Sequence, residues 1–233
     1  MDEGQYRKLS RGEASAAVTE LGWRYVLGEF RTEVLTGSLP LAADVAARAA
    51  AEPGADGHLR MDVRSDRVIL ALQTPAVAWV TPQDVELARR ISAVAEEFRL
   101  TTRPGVGERS VQVLEIGIDA MDAAAIRPFW KAVLGYADEH NHAGPTGALV
   151  DPLGEGPAIW FQQMDAPRPQ RNRIHLDVSV PHDEAEARIR ATLAAGGRLT
   201  YDAEAPAFWV FADPEGNEAC ITTWQGRDAP EAG

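Results

Sequence analysis

Residues 171–180, RNRIHLDVSV, decide the fold, because they open a second pass through an order of elements that the chain has already run once. Ile174, Leu176, Val178 and Val180 alternate with His175, Asp177 and Ser179, the two-residue period of a strand with one apolar face. The pattern then predicts a helix over about 182–195, ended by Gly196-Gly197, and strands near 199–202, 207–212 and 218–223. Upstream lies the same order. A strand over 111–118 precedes a helix that carries Ile126, Phe129, Trp130 and Val133 and ends at Gly135. Strand-like stretches follow near 147–150 and 157–163. A βαββ(β) unit used twice is the architectural signature of this half.

The first half reads differently. Ser10 with Glu13 fits a capping box and opens a helix to about Glu20. Residues 23–35 are rich in aromatic and β-branched side chains and read as a strand kinked at Gly28. Pro40 starts an alanine-rich helix that stops before Pro53-Gly54. Strands are expected over 59–64 and 67–74, and Thr81-Pro82 starts a helix whose buried stripe is Leu87, Ile91, Val94 and Phe98. The expected fold class is therefore α+β: an N-terminal antiparallel sheet with helices on one face, then a paired βαβββ cup. Residues 101–110, TTRPGVGERS, have no apolar period and read as a linker. The expected domains are 1–100 and 111–226, with a tail over 227–233.

Bulk properties narrow the function classes. The chain has 233 residues and a net charge of −12. Residues 1–103 carry −2 and the remainder −10, so the excess acid lies in the second half. Such a surface repels phosphate backbones and argues against nucleic acid as a partner. No stretch approaches the apolar length of a membrane span, and the first ten residues lack the apolar core of a signal peptide. A single cysteine, Cys220, excludes an intrachain disulfide and suits a cytoplasmic location. The expected partners are a small-molecule ligand and further copies of the chain as a homo-oligomer.

Residues 8–100 resemble the pterin-4a-carbinolamine dehydratases. The resemblance rests on VILALQTP (68–75), on TPQDVELARRI (81–91) and on the spacing of a His-His-Pro motif. His58 takes the second histidine of that motif, Leu59 the proline, and Asp84 the closing aspartate. Gly57 stands in place of the first histidine, Pro75 in place of the later one, and Pro53 in place of an acidic residue, with Glu52 adjacent. Dehydration needs one group to protonate the leaving hydroxyl and another to take a ring proton, and one imidazole does not fill both roles. His58 and Asp84 are the catalytic candidates here. The alternative is a turn or surface histidine on an inherited scaffold.

Residues 111–225 resemble the vicinal oxygen chelate superfamily, which includes glyoxalases, extradiol dioxygenases and fosfomycin-inactivating transferases. FWKAVLGY (129–136), RNRIHLDVSV and WVFADPEGNEACI (209–221) carry this resemblance. It implies metal ligands from the first strand of each unit and the last strand of the second: Glu115, His175 and Glu218. It implies a divalent metal of open identity, which would polarise paired substrate oxygens. Strand alternation sets Glu115 against Leu114, Ile116 and Ile118, and sets Glu218, Cys220 and Thr222 against Ala219 and Ile221, so the candidate ligands face the interior of the cup. The superfamily's fourth ligand position falls near Trp160, which with Gln162 and Asp177 is expected to line the substrate pocket. His140, His142 and His182 sit in polar segments and are expected to be solvated.

Three functions follow from these readings. One is a lyase-like enzyme of the glyoxalase type with metal-assisted chemistry in the C-terminal cup and an inactive first domain. Another is dehydration of 4a-hydroxytetrahydrobiopterin by the first domain. The last is ligand binding or sequestration without metal or catalysis.

Overall fold

The computed structural model describes residues 6–106, 109–139, 144–167, 175–180, 183–223 and 225–226. The chain divides into two units, Met1–Val113 and Leu114–Gly233. His140, His142, His182 and residues 171–174 of the stretch RNRIHLDVSV lie outside the described residues.

In the N-terminal unit, Ser10 caps α1 (Arg11–Val18) through the reciprocal bonds expected of Ser10 and Glu13. Residues 23–35 are not one kinked strand. They form a hairpin of β1 (Arg24–Val26) and β2 (Glu29–Leu35), turned at Leu27-Gly28. Both turn residues have positive φ, 46° and 81°, the backbone that a two-residue hairpin loop requires. Leucine is an unusual occupant of such a position, which is why the turn reads as a strand in sequence. Next come α2 (Leu39–Ala50), β3 (Leu59–Val63), β4 (Arg67–Leu72) and α3 (Pro82–Glu97).

The sheet order is β1-β2-β4-β3, all antiparallel. Phe30, Val34, Val68, Leu70 and Leu72 face a buried core, filled from the helices by Val18, Val45, Leu87 and Ile91. The alternate residues carry ion pairs on the other face: Glu29 with Arg31 and Arg60, and Glu33 with Arg67. This alternation is the sheet form of an apolar and a polar surface.

The stretch read as linker is partly sheet. β5 (Thr102–Arg103) pairs with β2, and β6 (Gly105–Val106) pairs with β7 (Arg109–Ser110). The reason is long-range. Thr102 donates to the Leu21 carbonyl at 2.6 Å, and the buried Thr32 hydroxyl lies between the Gly22 and Arg103 carbonyls at 2.8 and 3.0 Å.

The C-terminal unit holds two four-stranded sheets of the same topology. The first contains β8 (Glu115–Ala120), β9 (Ala137–Asp138), β10 (Leu149–Val150) and β11 (Ala158–Gln163), in the order β8-β11-β10-β9. The second contains β12 (Leu176–Ser179), β13 (Arg198–Tyr201), β14 (Phe208–Ala212) and β15 (Glu218–Thr222), in the order β12-β15-β14-β13. Each sheet pairs its first and last strands in parallel. A helix crosses between them in each half: α4 (Ala123–Leu134) and α5 (Ala185–Ala194). The expected strand over 111–118 begins only at Glu115, and Leu114 is exposed.

One core joins the halves, with Ile126, Phe129 and Val133 of α4 packed among Ile118, Ile159, Phe211 and Ile221. Asp138 accepts from Lys131 and Arg127, and these bonds hold its carboxyl below the usual range. At the turn between β14 and β15, buried Asp213 accepts from the Trp130 indole of α4 at 3.1 Å. It also accepts from the Glu215 and Asn217 backbone amides at 2.9 and 2.8 Å, and from the Asn217 side chain at 2.7 Å. Glu215 in turn accepts from the Met121 and Asp122 amides at the start of α4, at 2.8 and 2.6 Å.

Removing a buried acceptor strands every donor aimed at it. Asp213→Ala is therefore expected to destabilise the C-terminal unit by about 2–4 kcal/mol. Chemical denaturation followed by near-ultraviolet signals of Trp130 would measure it. A midpoint unchanged from the parent protein would contradict this role.

Candidate functional site

In the N-terminal unit the two catalytic candidates meet. Asp84 is the third residue of α3 and completes a capping box with Thr81. One carboxylate oxygen accepts from the Thr81 amide at 2.7 Å, the Thr81 hydroxyl at 3.0 Å and the Thr74 hydroxyl at 2.6 Å. The other lies 2.8 Å from His58 Nδ1. Asp84 is fully buried, and the His58 side chain is only 12% exposed. His58 does sit in a turn, but its ring is not a surface group. With the carboxylate accepting, Nδ1 carries the proton and Nε2 is left as an acceptor. Pro75, in place of a second histidine, opens a short 3₁₀ turn two residues before Val77.

The C-terminal candidates are distributed by register. On β8 and β11, Glu115 pairs with Ala158, Gly117 with Trp160, and Asp119 with Gln162. On β12 and β15, Asp177 pairs with Cys220 and Ser179 with Thr222. The halves share one topology, so Trp160 occupies in the first the place that Cys220 occupies in the second. Trp160 is 40% exposed, and Gln162 is exposed, its amide donating to the Gln163 carbonyl at 3.3 Å.

His175 precedes β12, and its Nδ1 lies 3.2 Å from Asp177 Oδ1 and 3.6 Å from Cys220 Sγ. Among the described residues, His175, Asp177 and Cys220 are the group whose donor atoms converge within 4.8 Å of one another. Glu115 and Glu218 do not join it. Glu115 is exposed on the first sheet, and Glu218 starts β15 two residues before Cys220. The structure thus puts Cys220 and Asp177 beside His175. Asp177, expected only as pocket lining, is a potential ligand.

Physically the cluster is a buried sulfur below two more exposed groups. Cys220 is 5% exposed, whereas the His175 and Asp177 side chains are 51% and 60% exposed. A single Nδ1 faces both the carboxylate and the sulfur. A cation at that point would satisfy all three donors.

Cys220 was within reach of the sequence. Strand alternation already places it on the interior face with Glu218 and Thr222. What alternation lacks is the pairing of Cys220 with Asp177, a contact between strands more than forty residues apart.

The model of the glyoxalase-like domain matches residues 115–222. Among solved structures, the chain is similar to a glyoxylase/bleomycin resistance protein/dioxygenase domain from Frankia sp. EAN1pec, with 17% identity over 52% of this chain and 96% of that one, at a TM-score of 0.38. It is similar to the fosfomycin resistance protein FosX from Mesorhizobium loti, with 9% identity over 50% and 92% of the two chains, at a TM-score of 0.37. It is also similar to a transcriptional coactivator/pterin dehydratase from Brucella melitensis, with 26% identity over 38% and 99%, at a TM-score of 0.36. The comparison with curated proteins found no match. Over residues 115–222 the chain is similar to a glyoxalase-like domain.

Proposed function

We propose that the C-terminal unit is a small-molecule enzyme whose chemistry is assisted by a zinc-class ion held by His175, Asp177 and Cys220. The spacing of His175 Nδ1 from the other two donors carries this reading. Tetrahedral zinc, with bonds of about 2.0–2.1 Å to nitrogen and oxygen and about 2.3 Å to sulfur, sets N···O near 3.3 Å and N···S near 3.6 Å. The corresponding separations here are 3.2 and 3.6 Å.

The donor types point the same way. A thiolate and an imidazole suit zinc, and magnesium or manganese prefers all-oxygen sites. Three protein donors leave a fourth position for a substrate oxygen, the arrangement of a catalytic rather than a structural site. When bound, the ion would act as a Lewis acid toward that oxygen. The chain's own contribution is orientation. The parallel register aims Cys220 and Asp177 from adjacent strands, and the exposed His175 and Asp177 form the rim that substrate passes.

The thiolate gives a direct test. The full chain loaded with cobalt is expected to show a sulfur-to-cobalt charge-transfer band in the near ultraviolet. Cys220→Ser should abolish that band and weaken zinc binding by about 10²-fold or more. A cobalt spectrum without the band, or Cys220→Ser protein that binds zinc as the parent does, contradicts the assignment.

A second reading, dehydration of a pterin carbinolamine by the N-terminal unit, is favoured by one observation, the pairing of His58 with buried Asp84. That pairing holds Nε2 of His58 ready to accept a proton. On this reading His58→Gln lowers dehydration of 4a-hydroxytetrahydrobiopterin by at least about 10²-fold in a stopped-flow assay. Turnover that is absent in the parent, or indifferent to the change, removes it.

A further inference from the structure

The first sheet of the C-terminal unit carries an indole at the register position where the second sheet carries its sulfur. Trp160 pairs with Gly117 on β8 as Cys220 pairs with Asp177 on β12. The glycine makes room for the ring. A Cβ at position 117 would stand 2.9 Å from Cζ2, 3.0 Å from Cε2 and 3.3 Å from Nε1 of Trp160. The nitrogen edge of the indole therefore lies across the bare backbone of Gly117, and 40% of the residue remains open to solvent.

Trp160 is also placed unlike the tryptophans that build the cores. Trp23, Trp79 and Trp130 donate their indole N–H to Ser92, the Leu9 carbonyl and Asp213, and Trp209 packs against the core of the C-terminal unit, whereas Trp160 is exposed. The Trp160 N–H meets no acceptor among the described residues. A large ring seated by a glycine, with an open surface and an unused donor, is a stacking surface. Its neighbours at the next positions of that face are Glu115 and Asp119 on β8 and Ala158 and Gln162 on β11, three of them polar, so it is not part of an apolar interface.

From this we infer that Trp160, seated on Gly117, is the floor of a ligand subsite that takes a planar aromatic or heteroaromatic ring. Molecules bearing such a ring are then the substrate class of the cup. Calling the ligand a substrate rests on the metal reading above, whereas stacking on Trp160 does not need the ion.

The test uses the full chain and two probes of like size, 2-naphthol and its saturated counterpart decahydro-2-naphthol. The indole ¹H–¹⁵N signal of Trp160 is the one missing from Trp160→Leu. It should shift with 2-naphthol, which is expected to bind about tenfold more tightly than the saturated alcohol. Trp160→Leu should lose that preference with zinc content unchanged. Gly117→Ala should lose it as well, since its methyl displaces a ring that is still present. Equal affinity for the two probes, or undiminished 2-naphthol binding by Trp160→Leu, overturns the proposal. Zinc content read on the same samples separates the two ideas. Ring preference without zinc sinks the metal reading and keeps the stacking site, and zinc without ring preference does the reverse.

Discussion

The parallel pairing of first and last strands within each half of the C-terminal unit is the constraint on which the candidate site depends. Side chains alternate along a strand, so a shift of one residue would turn Cys220 into the core and Ala219 or Ile221 out of it. The buried positions of Ala219 and Ile221 among Phe129, Phe211 and Ile159 make that shift costly. Hydrophobic burial on one face thus sets the chemistry on the other. Asp213 and Glu215 reinforce it by tying the turn before β15 to α4.

The same register makes the two halves equivalent in form and different in content. Where the second half presents Asp177 and Cys220, the first presents Gly117 and Trp160. Duplication supplies the scaffold twice, and the residues at equivalent places differ in chemistry. One half offers donors of nitrogen, oxygen and sulfur, and the other an aromatic surface. The N-terminal unit follows a separate logic, in which a helix-capping aspartate doubles as the partner of His58.

Much of this was legible in sequence, and what escaped it shares one cause. Strand and helix periods place the repeated unit, the capping box at Ser10, and the interior face that carries His175, Glu218 and Cys220. They do not report which residues of distant strands lie side by side. Glu218 is read as a ligand from the resemblance, whereas the place of Cys220 beside Asp177 and His175 is visible only in the pairing of β12 with β15. The sequence likewise does not show that Thr102 and Arg103, within the stretch read as linker, meet Leu21 and Thr32. The Leu27-Gly28 turn escaped because leucine seldom adopts positive φ.

X-ray absorption at the zinc K-edge tests the central claim most directly, because it reads the ligand atoms themselves. A cluster of His175, Asp177 and Cys220 predicts a sulfur scatterer at about 2.3 Å beside nitrogen and oxygen at about 2.0–2.1 Å. A shell of nitrogen and oxygen alone would instead describe a site built from Glu115, His175 and Glu218, and would contradict the account.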